Sequence, residues 1–340
     1  MLGQIALILS ISLTSPADLS ATDKQVAIES LSKSMIERYV SKAKADEVSA
    51  ALAQNLKAGK YEALKTGEEF AQQVTKDVNA ICRDAHLWVR YSEKVLPVRA
   101  SNAEPSPQEQ AAQAKYVRLT NAAFEEVKRL GGNVGYIRFF GFMDPAEAAR
   151  PIRSAMAFVE NTDALIFDIR DNGGGSPETV RLLCNYLFDK PTHLNSLIFR
   201  RGDKMVTTDF ITEKISDPVY HGKPIFVLVS KRTGSGAEEF AYNLQTQKRA
   251  TIIGENTWGG ANPGGTVRLN DHFMAFIPVG MAKNPITGTN WEGTGVTPDV
   301  KAIPADALKT GHILAIKALL EKATGDDATR LQGVLKELGG

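Results

Sequence analysis

The residue whose type and setting best suit nucleophilic chemistry is a serine between two glycines, Ser235. An apolar run at 225–229 before it predicts a buried strand, and an amphipathic run at 237–247 after it predicts a helix. A hydroxyl at such a turn lies near free backbone N–H groups, which a nucleophilic serine needs for the oxyanion it creates. The competing interpretation is a helix cap, because Ser235 and Glu238 have capping-box spacing.

A glycine loop could supply the second half of an oxyanion hole. Gly173, Gly174 and Gly175 follow an apolar run at 164–169 that predicts a strand. Without side chains, this backbone can approach a ligand closely, and its N–H groups can line an anion site. The spacing matches neither a P-loop nor a dinucleotide motif, so phosphate binding and a plain tight turn are the alternatives.

Two further residues could act with the serine. His86 is one of five histidines and begins an alternating run that predicts a strand, and Glu292 lies in a glycine-rich turn. Their structural alternatives are a histidine without a chemical role and a solvated carboxylate. Cys82 is four residues from His86, but no further Cys or His cluster completes a zinc site, so no metal is predicted. Spacing alone does not bring the serine, histidine and glutamate together.

The elements that must position these residues fall into two regions. The pattern is helical from Thr22 to Ile81, with capping boxes predicted at Thr22 and Thr66, and indicates a small bundle. Residues 99–112 are rich in Pro, Ser, Gln and Ala and predict a linker or an exposed loop. Beyond them, helices alternate with apolar strands, which predicts an α/β core. This part contains a hairpin at 124–130 and 134–140, helices at 145–160, 177–188 and 237–247, strands at 164–169, 225–229, 251–253 and 266–281, and closing helices at 306–321 and 327–337.

Composition and charge narrow the class of protein. The chain is 43% hydrophobic and 23% charged, as in ordinary globular proteins. Its net charge of +1 gives no reason to expect nucleic acid or an anionic membrane as a partner. Cys82 and Cys184 are too few for a disulfide framework.

The N-terminus has the layout of a secretory signal peptide. The apolar run Ile5–Leu13 precedes a small-residue site at Ser15–Ala17, although no Lys or Arg precedes the run. It is too short to span a bilayer stably. The sequence therefore predicts export to the periplasm or the exterior, with a short buried segment as the alternative.

Six stretches, in this order, resemble the S41 family of serine peptidases, which includes tail-specific proteases and tricorn protease. They also resemble the modules of interphotoreceptor retinoid-binding protein, which share the fold. The stretches are Asp84–His86, Val134–Ile137, Asp168–Gly175, Thr233–Glu238, Ile253–Gly259 and Glu292–Asp299. The resemblance implies a ClpP/crotonase-like α/β core of the S41 peptidase type with an N-terminal helical bundle.

The family has two catalytic arrangements. The Ser–Lys arrangement of tail-specific proteases places its lysine where this chain has Gly260, so the resemblance excludes it. The other arrangement, like that of tricorn, implies that Ser235 attacks, His86 acts as base and then acid, and Glu292 orients the imidazole.

The resemblance also implies an oxyanion hole and limits the substrates. The oxyanion would be held by the amides of Gly236 and of Gly173 or Gly174. The stretch from His86 to Val134 is too short for the PDZ domain that tail-specific proteases use to grip C-termini, so no preference for C-terminal tails is implied.

The expected organisation has four parts: a signal peptide at 1–21, a helical bundle ending in the His86 strand at 22–95, an S41-like catalytic core at 113–305, and C-terminal helices at 306–340. The expected function is a cofactor-free serine-type peptidase acting on unfolded proteins or peptides. The alternative is a non-catalytic carrier of retinoid or fatty acid, with a hydrophobic ligand in place of a substrate.

Overall fold

The computed structural model describes residues 19–98 and 105–340. The run expected to act as a signal peptide lies outside the described residues, apart from its last three positions. Within the described ranges, no helix is both long and apolar enough to cross a membrane.

The helices are α1 (Ala21–Arg38), α2 (Lys42–Lys57), α3 (Gly67–Cys82), α4 (Pro107–Leu119), α5 (Pro145–Val159), α6 (Pro177–Cys184), α7 (Gly236–Thr246), α8 (Pro304–Leu320) and α9 (Gly325–Glu337). The strands are β1 (Trp88–Tyr91), β2 (Phe124–Leu130), β3 (Val134–Phe139), β4 (Ala164–Asp168), β5 (His193–Arg201), β6 (Lys204–Ile211), β7 (Ile225–Val229), β8 (Thr251–Gly254), β9 (Gly264–Arg268), β10 (Phe273–Pro278), β11 (Gly280–Lys283) and β12 (Val300–Lys301).

The predicted N-terminal helices form, and they pack on a small sheet as well as on one another. The sheet is antiparallel in the order β1–β10–β9. Leu87 and Val89 on one of its faces are buried in the same apolar core as the stripes of α1, α2 and α3. His86 lies in the turn just before β1, so the histidine is held where the bundle and the sheet meet.

One of the two predicted capping boxes is present in the bundle. The side chains and amides of Thr66 and Glu69 bond reciprocally at the start of α3. The box predicted at Thr22 is wrong, because α1 begins earlier and the Ser20 hydroxyl accepts a hydrogen bond from the Asp23 amide (3.1 Å). Thr22 is then a first-turn residue with no cap to form.

The α/β core prediction is confirmed by a six-stranded sheet. Its order is β12–β8–β7–β4–β3–β2, and all neighbours are parallel except β2 and β3. Helices α5, α6 and α7 contribute to the core on one face, and α8 and α9 to the core on the other, which explains the uninterrupted apolar runs of β4 and β7. Because β4 and β7 are parallel neighbours, the loops after their carboxyl ends meet at one edge of the sheet.

Three features of the fold differ from the sequence-based expectation. Residues 107–119 form a helix, although a linker or exposed loop was predicted as far as residue 112, because Pro107 occupies the first turn and Ser106 forms a capping box with Glu109. None of the residues of this helix is buried. The hairpin of β5 and β6, which joins β11 in a third sheet, was not predicted. Helix α6 ends at Cys184, short of the predicted 188, and turns continue the chain.

Candidate active site

Ser235 caps α7 in a strained backbone conformation. Its φ of 51° and ψ of −121° lie outside the regions that residues with a side chain favour. The strand before it, β7, is buried throughout, as predicted. The turn is held because the Gly234 amide donates to the Asn172 carbonyl (3.0 Å) and the Ser235 amide donates to Glu238 (2.8 Å). Non-glycine residues held in such conformations cluster at functional sites.

Glu238 binds a second segment of the chain as well as the serine turn. Its carboxylate is fully buried and also accepts hydrogen bonds from the Thr257 hydroxyl and from the amides of Gly259 (2.6 Å) and Gly260 (3.0 Å). Burial raises the pKa of this carboxyl, and the hydrogen bonds oppose that shift. Glu238 therefore fastens the segment 257–260 to the serine turn.

The glycine loop after β4 lies against the serine turn. Gly174 has a φ of +101°, and a Cβ there would come within 2.6 Å of the Gly236 nitrogen. The Gly174 amide donates to the Asn172 side chain (2.9 Å), whereas the Gly173 amide makes only a long contact with Phe140 (3.4 Å). The Gly236 amide, at the first helical position, has no acceptor within the helix. Of the three predicted oxyanion donors, Gly236 and Gly173 have the more available N–H groups.

The structure brings His86 and Glu292 together, although 206 positions separate them in sequence. With Asp84 they form a cluster in which one imidazole nitrogen and one carboxylate oxygen from each acidic residue lie within 4.8 Å of one another. Glu292 accepts hydrogen bonds from the amides of Ala85 (2.8 Å) and Ala261 (2.6 Å). It thereby joins the segment carrying His86 to the segment that follows Gly260.

Asp84 is a site residue that the sequence-based prediction missed. It is 1% exposed and accepts hydrogen bonds from the His86 amide (3.1 Å), the Tyr39 hydroxyl (3.2 Å) and the Asn262 side chain (2.9 Å). Its position two residues before His86 was the available signal. Both carboxylates of the cluster accept hydrogen bonds from the backbone around His86, from the Ala85 amide to Glu292 and from the His86 amide to Asp84.

The buried carboxyl group of Glu292 is expected to make the stability of the fold depend on pH. Burial, and secondarily the charge of Asp84, raise its pKa from 4.5 to about 7. A raised pKa stabilises the fold below pH 4.5, and this contribution is lost as the pH rises through 7. We expect the unfolding free energy of the wild type relative to Glu292→Gln to fall by about 3 kcal/mol between pH 4.5 and 8. Urea unfolding of both proteins measures it, and a difference independent of pH would contradict the assignment.

His86 is surrounded by rings. Its imidazole lies 4.7 Å from the ring of Trp258 and 5.6 Å from that of Phe276, centroid to centroid. Burial lowers its pKa to about 4, so the imidazole is neutral at neutral pH. Among the described residues, its buried Nδ1 has no hydrogen-bond partner.

Trp258 joins the histidine to the serine turn. Its amide donates to the Thr233 carbonyl (3.0 Å), and a Cβ on Gly234 would come within 3.1 Å of its ring. No hydrogen bond between Ser235 and His86 occurs within the described residues. Contacts of this kind often tighten only when a substrate binds.

Because Gly260 has no side chain, the rings of His86 and Trp258 can occupy the space beside it. A Cβ there would come within 2.6 Å of His86 Cε1 and 2.4 Å of a Trp258 ring carbon. A side chain at position 260 and the observed histidine therefore compete for one volume.

Sequence profiles of known families match most of this chain. The profile of peptidase family S41 matches residues 133–302, half of the chain. The chain belongs to peptidase family S41. A second profile, the N-terminal domain of this family in eukaryotic IRBP, matches residues 20–128.

Two curated S41 relatives show the extent of the similarity. Carboxyl-terminal-processing peptidase 2 of Arabidopsis thaliana chloroplasts is 31% identical over 51% of this chain and 33% of its own length. Carboxy-terminal processing protease CtpA of Bacillus subtilis (strain 168) is 28% identical over 61% of this chain and 43% of its own length. The match thus spans less than half the length of either relative.

Solved structures show the same fold. Mature CPAF superimposes with a TM-score of 0.58 at 13% identity, covering 91% of this chain and 98% of CPAF. Tricorn protease superimposes with a TM-score of 0.52 at 14% identity, covering 94% of this chain and 37% of tricorn. The S41-type α/β fold with an N-terminal helical region is therefore confirmed.

Proposed function

We propose that this S41 family member is a serine-type peptidase with Ser235 as nucleophile. The observation that carries the proposal is the strained backbone of Ser235, held at a helix start against a glycine loop. Ser235 is partly exposed, and a fixed, accessible hydroxyl beside backbone N–H groups is what acyl transfer requires. Family membership supports the same reaction class.

His86 and Glu292 complete the proposed triad. His86 Nε2 takes the Ser235 proton as Oγ bonds to the substrate carbonyl carbon, and then gives it to the leaving amine as the C–N bond breaks. Water, deprotonated by the same imidazole, hydrolyses the acyl-enzyme and restores Ser235. Glu292 orients the histidine through the Ala85 amide and stabilises the imidazolium that forms.

The proposed oxyanion hole uses backbone amides. The Gly236 N–H at the helix start is one donor, and the Gly173 N–H, with its long 3.4 Å contact, is the other. Gly174 serves chiefly to let the loop approach the turn, since its own amide bonds Asn172.

The lack of a side chain at position 260 supports the histidine arrangement. The relatives' alternative base, a lysine, would have to occupy volume that His86 and Trp258 fill. In the proposal the His86 imidazole takes the Ser235 proton, since the nearby Glu238 carboxylate is bound to the amides of Ser235, Gly259 and Gly260.

We further propose that the substrates are peptides or unfolded proteins and that the protein is exported. Two relatives are named as carboxyl-terminal processing enzymes, which is consistent with peptide substrates. The signal-like run in the first residues supports export.

Hydrolysis and lipid binding, measured on the same preparations, test the function. The wild type should cleave an unfolded, fluorescently labelled protein, and Ser235→Ala should not. The carrier alternative predicts no turnover and saturable retinol or fatty-acid binding by both proteins. That result would overturn the peptidase proposal.

A further inference from the structure

Ring side chains form a continuous row that starts beside the serine turn. Trp258 meets His86 edge-on at 4.7 Å, and His86 stacks on Phe276 at 5.6 Å. Phe276 lies 6.0 Å from Trp88, and the guanidinium of Arg90 lies 4.2 Å above the Trp88 ring. These five residues are called the aromatic row.

The aromatic row lies on the face of the small sheet that is turned away from the helical bundle. Leu87 and Val89, which alternate with row members along the chain, are buried against the bundle. Trp88 faces Phe276 directly across the β1–β10 pair. Side chains alternate between the faces of a strand, so Trp88 and Arg90 share the other face.

The row is accessible to a ligand. Trp258 is 46% exposed, Arg90 is exposed, and Trp88 and Phe276 are partly exposed. Within residues 19–98 and 105–340, Arg90 forms no ion pair with a carboxylate. Exposed apolar rings beside a cation that has no carboxylate partner within the described ranges are typical of a binding site.

We propose that the aromatic row binds an extended peptide through its apolar side chains, and that Arg90 binds a carboxylate of that peptide. The inference rests on the proposed peptidase function, because the row begins at Trp258, which contacts both the Ser235 turn and His86. The ligand is thus the segment flanking the scissile bond.

The geometry gives the position of the carboxylate. His86 and Arg90 are four positions apart, which is at most about 13 Å at 3.3 Å per residue, because His86 lies in the turn before β1. An extended peptide covers this distance in about four residues. The guanidinium carbon of Arg90 lies 4.2 Å from the centre of the Trp88 ring, and a guanidinium can bind a carboxylate in bidentate fashion.

Equilibrium binding tests the row without requiring catalysis. Fluorescein-labelled decapeptides rich in Leu and Phe are titrated with the Ser235→Ala protein, and anisotropy gives Kd. One pair differs in a C-terminal carboxylate or amide, and a second, amidated pair differs in an internal Asp or Asn. We expect the carboxylate peptides to bind about three- to tenfold more tightly at low salt, with the difference shrinking at 0.5 M NaCl. The peptide pair in which the carboxylate member binds more tightly shows whether Arg90 binds a C-terminal carboxylate or that of an Asp side chain.

Arg90→Gln should abolish this discrimination, and Arg201→Gln should retain it. Arg201 is a matched control because it is exposed and lies 5.9 Å from the Phe199 ring on a different sheet. Trp88→Ala should weaken both members of each pair by about tenfold. Discrimination unchanged by Arg90→Gln, or no binding of any peptide, would overturn the inference.

The outcome can be separated from that of the proposed function. Peptide binding that depends on Arg90, without any hydrolysis by the wild type, would overturn the peptidase proposal and leave the row intact. If Arg90→Gln does not change the rate of hydrolysis, and the cleavage sites show no preference for a carboxylate about four residues away, the inference about the aromatic row would be overturned. The peptidase proposal would then stand.

Discussion

Ser235→Ala and His86→Ala are each expected to lower kcat for peptide hydrolysis by about 10⁴- to 10⁶-fold, and the double variant to lose little more. Removing either residue prevents the same proton-coupled attack, so their effects cannot add. Glu292→Gln should cost less, because it orients the base and does not react. Steady-state kinetics on the four variants and the wild type measure these effects.

Stability measurements separate chemistry from folding in this series. Ser235→Ala should change the unfolding free energy by no more than about 1 kcal/mol, the worth of a helix cap. His272→Ala is a control for His86→Ala, since His272 lies just before β10 of the same small sheet and its imidazole Nδ1 bonds the Ser92 carbonyl (2.9 Å). Losses for Ser235 and His86 that multiply in the double variant would mean that they act independently.

Gly260→Ala is expected to lower kcat about 100-fold with a smaller effect on KM. The new Cβ would displace His86 or Trp258, whose atoms lie 2.6 and 2.4 Å from its position. A shift of about 1 Å in a catalytic group costs on the order of 100-fold in rate. Peptide kinetics, with circular dichroism to verify folding, measure the effect.

Gly265→Ala is the matched control for this variant. Gly265 is in the strand that follows, and a Cβ there would meet nothing within 4 Å. It should retain activity close to that of the wild type. Equal rates for Gly260→Ala and the wild type would show that His86 does not need its present position.

Local patterns predicted the serine turn well. The five apolar residues of β7 and the stripe of α7 are periodic signals that neighbours in sequence determine, so the helix start at Ser235 followed. The positive φ of Ser235 was not predictable, because it depends on Glu238 and on contact with the glycine loop.

Long-range contacts explain what the sequence did not reveal. The carboxylate of Asp84 is held by hydrogen bonds from Tyr39, at the end of α1, and from Asn262, which lies between β8 and β9. The contact of Trp258 with His86 likewise joins segments 172 positions apart. Helix α4 was missed for a local reason, since its Pro and Ser suggested a linker although they are also helix-start residues.

Mapping the residue that a fluorophosphonate probe modifies tests the central claim most directly. The probe reacts with a serine only when a base and oxyanion donors activate it. We expect mass spectrometry to find the label on Ser235 in the wild type and at least 100-fold slower labelling in His86→Ala, since base catalysis contributes about 10²- to 10⁴-fold. An unlabelled Ser235 in folded wild-type protein, or labelling at the same rate without His86, would contradict the account.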